Sequence, residues 1–185
     1  VISGARPIYM DSIKGYQTVA TGSFIKELTG VNIPNGIFIM IAMMAVASFL
    51  LNKTILGRYS FAIGSNEEAA RLSGVNVIKW KIISYALCGM MSGFAAWFMT
   101  ARLNAAQPST GAGYEMDAIA ACIIGGASMS GGEGSVSGTI IGAFIMSVLI
   151  NGLRIMSVPS EWQTVVTGAV VIFAVYVDML RRKKQ

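Results

Sequence analysis

Histidine is absent from this chain, so zinc-peptidase motifs and histidine-based catalytic triads are excluded at the outset. Charge is scarce as well: Asp, Glu, Lys and Arg make up 12% of the residues, against roughly 25% in a soluble globular domain. With 54% of the residues apolar, the composition suits a bilayer as solvent. The two cysteines, Cys88 and Cys122, sit inside apolar stretches and read as small buried residues, with no support for a disulfide or metal framework. A net charge of +5 does not point to nucleic acid, because the basic residues stand between and after apolar runs and form no clustered polar face. A cleavable signal pattern is also missing, and the chain, which opens on Val1, is expected to begin partway along a longer protein.

What the chain has in abundance is apolar blocks of span length. A hydrocarbon core of roughly 30 Å needs about 20 helical residues at roughly 1.5 Å each. The runs Ile82 to Ala101 and Gly134 to Leu153 carry no charge. Gly36 to Leu51 reaches span length with Pro34 in its first turn and Lys53 snorkelling. Trp162 to Val177 is followed by Asp178 and the basic cluster Arg181, Arg182, Lys183 and Lys184. The expected fold is an all-α polytopic membrane bundle of about five transmembrane segments.

Charge orients the bundle. Lys53, Arg58, Arg71, Lys79 and Lys81 lie between the first two spans, and a basic cluster follows the last, so both regions are assigned to the cytoplasm. The chain then reads as one membrane domain over 1–185, with an external segment at 1–35 and spans at 34–52, 81–101, 118–129, 136–153 and 162–180. The cytoplasmic loop covers 57–76, the external loop 102–117 and the basic tail 181–185. Parity forces the crossing at 118–129, although its apolar run is short. That run ends in Gly125-Gly126 and is followed by Gly131-Gly132-Glu133-Gly134. The pattern fits either a plain helical hairpin or an interrupted, re-entrant element whose polar backbone needs protein or a water-filled cavity around it. In either case Glu133 reaches the cytoplasmic side.

Glycines recur every four residues at Gly134, Gly138 and Gly142, and again at Gly89 and Gly93. Each set lines one helix face and permits close helix packing. The stretch Gly132 to Gly138 is no nucleotide loop. A dinucleotide fingerprint would need glycine at Ser137, and a phosphate loop would need a lysine that the stretch lacks.

In the cytoplasmic loop, Ser65 and Glu68 have the spacing of a capping box, and Gly74 stands where a left-handed cap would end a helix. Between them Glu67, Glu68, Ala69, Ala70, Arg71, Leu72 and Ser73 form a helix of about two turns, acidic at its start as the macrodipole favours. A helix that short must dock on something, since nucleation alone is costly. The partner is either the rest of this protein or another subunit, which small Ala69 and Ala70 would let approach closely. Ser160-Glu161-Trp162-Gln163 repeats the capping-box spacing, with Trp162 as an interfacial anchor.

Gly57-Arg58-Tyr59, Ala62-Ile63-Gly64 and Asn66 through Val75 closely resemble the cytoplasmic loop of the ribose/xylose/galactose-type permeases of ATP-binding-cassette sugar importers, a branched binding-protein-dependent transport permease family. The likeness runs on through Ala101-Arg102-Leu103, Ala106-Gln107-Pro108, Gly111, Gly113 to Ala121, Ile124-Gly125-Gly126, Ser130-Gly131-Gly132, Gly134-Ser135, Gly138-Thr139 and Asn151-Gly152-Leu153. Gly4, Arg6, Pro7 and Ile8 resemble the family's external segment, and the whole resembles the C-terminal portion of such a permease.

The resemblance implies a transport subunit, not an enzyme, in the bacterial cytoplasmic (inner) membrane. It implies that Ser65, Asn66, Glu67, Glu68, Ala69, Ala70, Arg71, Leu72 and Gly74 couple to a separate ATP-binding subunit. No cofactor is expected on this chain, and ATP is hydrolysed on the partner. Further expected partners are an extracytoplasmic sugar-binding protein, docking on Asn104 to Asp117 and Ser157 to Glu161, a second permease copy, and membrane lipid. Asn104, Gln107, Tyr114, Asp117 and Asn151 are candidates for the polar pathway or external gate. The alternatives are a secondary active transporter, whose coupling charges would lie within the spans, and a membrane scaffold. An intramembrane enzyme using Asp117 and Asp178 is weaker still, since Asp178 is more simply a partner of Arg181 or Arg182 and Asp117 a helix cap.

Overall fold

A computed structural model describes residues 8–9, 22 and 34–182. The expectations for Gly4, Arg6 and Pro7, most of the external segment 1–35, and Lys183 and Lys184 lie outside the described residues. So do the side chains of Asp178, Arg181 and Arg182, and with them the expected ion pair.

The described elements are β1 (Ile8–Tyr9), α1 (Asn35–Lys53), α2 (Ile55–Ser65), α3 (Glu67–Leu72), α4 (Val77–Leu103), β2 (Ala105–Ala106), α5 (Tyr114–Ile124), α6 (Val136–Ile155) and α7 (Ser160–Arg182). The chain is therefore all-α apart from one two-residue antiparallel pairing of Ile8 with Ala106 and Tyr9 with Ala105. Four helices are long and apolar enough to cross a membrane: α1, α4, α6 and α7 over Ser160–Val177. The remaining crossing, expected at 118–129, differs. α5 starts at Tyr114 and stops at Ile124, and its 11 residues rise only about 16 Å, half a hydrocarbon core. Glycine ends it early: Gly126 takes φ +89°, and the bonds Gly126 N–H to Ile123 O and Ala127 N–H to Cys122 O close a Schellman turn.

The chain divides into two units. The first comprises Val1–Ala47 and Ile82–Ala112, hence most of α1 and α4 and the strand pair. The second comprises Ser48–Lys81 and Gly113–Gln185, hence the end of α1, the start of α4, and α2, α3, α5, α6 and α7. In the second unit α5 packs on both α6 and α7. Its core holds Ala120, Ala121 and Met146, flanked by Ile124, Ile150, Val170 and Val171. Many large apolar side chains stay exposed, among them Phe49, Val148, Ile172 and Phe173. Apolar faces of this kind belong to helices solvated by lipid or by further helices.

The region expected as a loop at 57–76 is largely helical. α1 ends at Lys53, where the Thr54 hydroxyl donates to the Leu50 carbonyl at 2.5 Å. The chain bends so sharply into α2 that a Cβ on Gly57 would overlap the Leu51 carbonyl, which explains the glycine there. At the other end of the chain, Ser160 does not cap α7, because it is already helical and its hydroxyl bonds Glu161. Gln163 instead reaches back to the Val158 carbonyl at 2.8 Å.

Candidate coupling site

α3 is held between two corners. Its N-cap is Asn66, which corrects the expectation of Ser65: Ser65 is the last residue of α2, and so cannot cap the next helix. Asn66 is extended at φ −155° and ψ 104°. Its N–H closes α2 on the Ala62 carbonyl at 3.1 Å, and its side-chain oxygen accepts the Ala69 N–H at 2.9 Å. One residue thus ends α2 and starts α3. Glu68, freed from the box, pairs with Arg71 at 3.1 Å. At the far end Gly74 takes φ +86°. Bonds from Gly74 N–H to Arg71 O and from Val75 N–H to Ala70 O complete a Schellman motif there.

The question of what α3 docks on resolves face by face. Ala70 is 6% exposed, so that side packs on the protein itself, as does Val77 just beyond. Glu67, Glu68, Ala69 and Arg71 face outward, and Leu72 is 80% exposed. The helix is braced to the start of α4 by the Glu67–Lys81 ion pair at 2.6 Å. Tyr59 on α2 meets Trp80 on α4 edge to face, ring centroids 5.0 Å apart. Asn76 caps α4 by accepting the Lys79 N–H at 3.1 Å. Since the ion pair is exposed, it contributes about 0.5 kcal/mol. Rigidity here comes from the caps and the aromatic contact.

The two glycine stripes behave differently. A Cβ on Gly138 would overlap the Gly125 carbonyl, one on Gly142 would overlap the Ala121 carbonyl, and one on Gly134 would lie 3.3 Å from Ala127. Gly89 and Gly93, on α4, have nothing within 4 Å.

The candidate pathway residues divide between the units. Asn104, at φ +51° just past α4, and Gln107, bonded to Ser109 at 2.9 Å, belong to the first. Tyr114 and Asp117, one turn apart on α5, and Asn151 near the end of α6 belong to the second. Asp117 precedes the apolar stretch of α5. Partial burial pushes its carboxyl above the ordinary value, the Arg154 guanidinium pulls it back and Glu115 adds to the rise. In the first unit a cavity of about 620 Å³ lies among Ile37, Met40, Met43, Phe94, Phe98 and Arg102. Its walls are almost wholly apolar, and a sugar's hydroxyls would be left unpaired there, so it is not read as a sugar site. Among the described residues no group of His, Cys, Asp and Glu could hold a metal ion.

Reading the sequence missed the role of Ser135, whose hydroxyl caps α6 by accepting the Gly138 N–H at 3.1 Å. It also missed the packing of Gly64 against Gly131 and Gly132. A serine three residues before a glycine is a weak cap signal, and glycines distant in sequence give no sign of which will meet.

Comparison with known proteins follows the same lines. The family described as "Branched-chain amino acid transport system / permease component" matches residues 5–175. The chain is 48% identical over 153 residues to the ribose import permease protein RbsC of Escherichia coli, covering 83% of this chain and 47% of that protein. It is 45% identical over 152 residues to the xylose transport system permease protein XylH of Haemophilus influenzae, covering 82% and 40%. With RbsC of Haemophilus influenzae it shares 40% identity over 181 residues, covering 96% and 54%. The chain therefore spans about half the length of the curated relatives it matches. No solved structure matches.

Proposed function

This chain belongs to the branched-chain amino acid transport system permease family, and from that membership we propose that it is the part of a monosaccharide importer permease that receives the stroke of a separate ATPase subunit. It is a multi-pass membrane protein with four span-length apolar helices. The family description names amino acids, but the relatives at 40% to 48% identity are named for ribose and xylose, which favours a pentose as cargo.

The observation that carries the reading is the division of α3 into an inner face on Ala70 and an outer face on Leu72. A two-turn helix capped at both ends and seated on its own protein presents a rigid outward surface. The exposed Leu72 offers the apolar anchor that a partner's cleft can bury, and Glu67, Glu68 and Arg71 are exposed on the same short helix. A nucleotide-driven change in that partner is felt here only if its contact with α3 differs between states. The remaining roles follow from the same reading: ATP on the partner, an extracytoplasmic sugar-binding protein, a second permease copy, and residence in the bacterial inner membrane.

The test uses the full permease, reconstituted in liposomes with its ATPase subunit and sugar-binding protein. Ala70→Pro removes the Ala70 N–H bond to the Asn66 carbonyl, 3.0 Å long, and breaks α3. ATP-dependent ribose or xylose uptake is expected to fall at least tenfold. Uptake by the variant at the unsubstituted level would point to a scaffold role. Accumulation driven by an ion gradient without nucleotide would point to a secondary transporter.

A further inference from the structure

We propose that Gly64, Gly131 and Gly132 form a backbone seat through which α3 drives the α5–α6 pair. The role rests on the importer reading above, while the seat itself rests on geometry alone. Gly64 is the penultimate residue of α2, two residues before the Asn66 corner. A Cβ added to it would stand 2.6 Å from the Gly132 nitrogen. A Cβ on Gly131 would stand 2.5 Å from the Gly64 carbonyl oxygen, and one on Gly132 would stand 3.0 Å from both Cα and Cβ of Ser65. Three glycines therefore meet main chain to main chain, each occupying space that any side chain would fill. Contact of this kind is stiff, because no flexible side chain lies between the two segments to absorb a displacement.

The receiving loop is stiff in its own right. Gly131 N–H donates to Ser128 O and Ser128 N–H to Glu133 O, both at 3.1 Å. On one side the loop joins the glycine-terminated end of α5, on the other the Ser135 cap of α6. From there the close approach of Gly125 to Gly138 and of Ala121 to Gly142 carries the connection into the Ala120, Ala121 and Met146 core. A push on α3 reaches α2 through Asn66, passes from Gly64 to Gly131 and Gly132, and moves α5 and α6 together. Those two helices bear Tyr114, Asp117 and Asn151, so the seat links the nucleotide-sensing end to candidate pathway residues without passing along α1 or α4. Gly131 and Gly132 also need glycine for their φ of +87° and +81°. Gly64 is helical and does not, so its lack of a side chain is explained by the contact alone.

One variant of the full permease, assembled with its ATPase subunit and read in two ways, tests this. Gly64→Ala suits the helix better than glycine but forces the seat apart. The expected result is a tenfold or greater loss of ATP-driven sugar uptake with the ATPase subunit still bound and still hydrolysing ATP. Uptake within twofold of the unsubstituted protein would overturn the proposal, as would loss of the ATPase subunit from the complex. The same variant in detergent, without nucleotide, reports on the seat alone: forcing Gly64 away from Gly131 and Gly132 is expected to speed amide exchange at Gly131, whose N–H bonds to the Ser128 carbonyl. Exchange at Gly131 unchanged from the unsubstituted protein would show that the segments are apart and overturn the seat. Absence of ATP-driven uptake in the unsubstituted complex would sink the importer reading and the driving role with it, and the exchange rates would still report on the seat.

Discussion

Two stripes of glycine at the same four-residue spacing meet different fates in this protein. On α6, Gly138 and Gly142 are pressed against the carbonyls of Gly125 and Ala121, so α5 and α6 approach as closely as two backbones can. On α4, Gly89 and Gly93 have nothing within 4 Å. The spacing encodes permission for a close neighbour, and the neighbour is a separate matter. α6 finds its partner in α5, the helix that precedes it. For α4, nothing among the described residues fills the place, in a chain that spans about half of its relatives. The sharpest way to break the comparison is Gly142→Ala. One methyl group there must displace the Ala121 backbone, with an expected cost of about 3 kcal/mol. A thermal or denaturant unfolding titration in detergent would measure it, and an unchanged midpoint would mean that α5 and α6 do not pack as described.

The same contrast shows what was legible in the residues. Long charge-free runs fixed α1, α4, α6 and α7 to within a few residues, because burial in a bilayer leaves a composition signal over about twenty positions. The acidic start and the Gly74 stop of α3 were legible for a similar reason, since caps are local chemistry. The cap itself was misplaced by one residue. Ser65 and Asn66 are both good caps, and the choice depends on where α2 ends, which tertiary packing of Gly64 and Gly57 decides. The early stop of α5 was legible only in part: its apolar run ends in Gly125-Gly126, which left an interrupted element and a plain hairpin both open, and hydropathy does not register the left-handed φ that makes Gly126 the stop. The seat at Gly64 was wholly invisible, as it joins positions more than sixty residues apart with no side chain to name the contact.

A second substitution sharpens the comparison from the open side. Gly89→Ala meets no obstacle in this chain and replaces the poorest ordinary helix former with the best, so it is expected to stabilise α4 by about 0.5–1 kcal/mol in the isolated chain. Run in parallel on the full permease, the unfolding titration tests whether Gly89 meets a neighbour there. A gain that turns into a loss there would place the partner of Gly89 outside the residues described for this chain. A loss in the isolated chain would mean that the stripe is already occupied, and the two stripes would no longer differ.

The smallest expected effect concerns how glycine is spent at helix ends. α3 and α5 stop on Gly74 and Gly126, both left-handed, whereas α6 stops on Ser157, left-handed at φ +56° without being glycine. The bonds are of the same kind: Ser157 N–H reaches Arg154 O and Val158 N–H reaches Leu153 O, each at 3.0 Å. A serine in that region bears a steric cost of roughly 1–2 kcal/mol that glycine avoids, offset by glycine's greater loss of backbone freedom on folding. Ser157→Gly is therefore expected to stabilise the α6 end by about 0.5 kcal/mol, read as slower amide exchange at Ser157 and Val158. Faster exchange would mean that the serine side chain holds this turn in a way that the cap bonds alone do not explain, and that the equivalence of the three helix ends is one of backbone shape only.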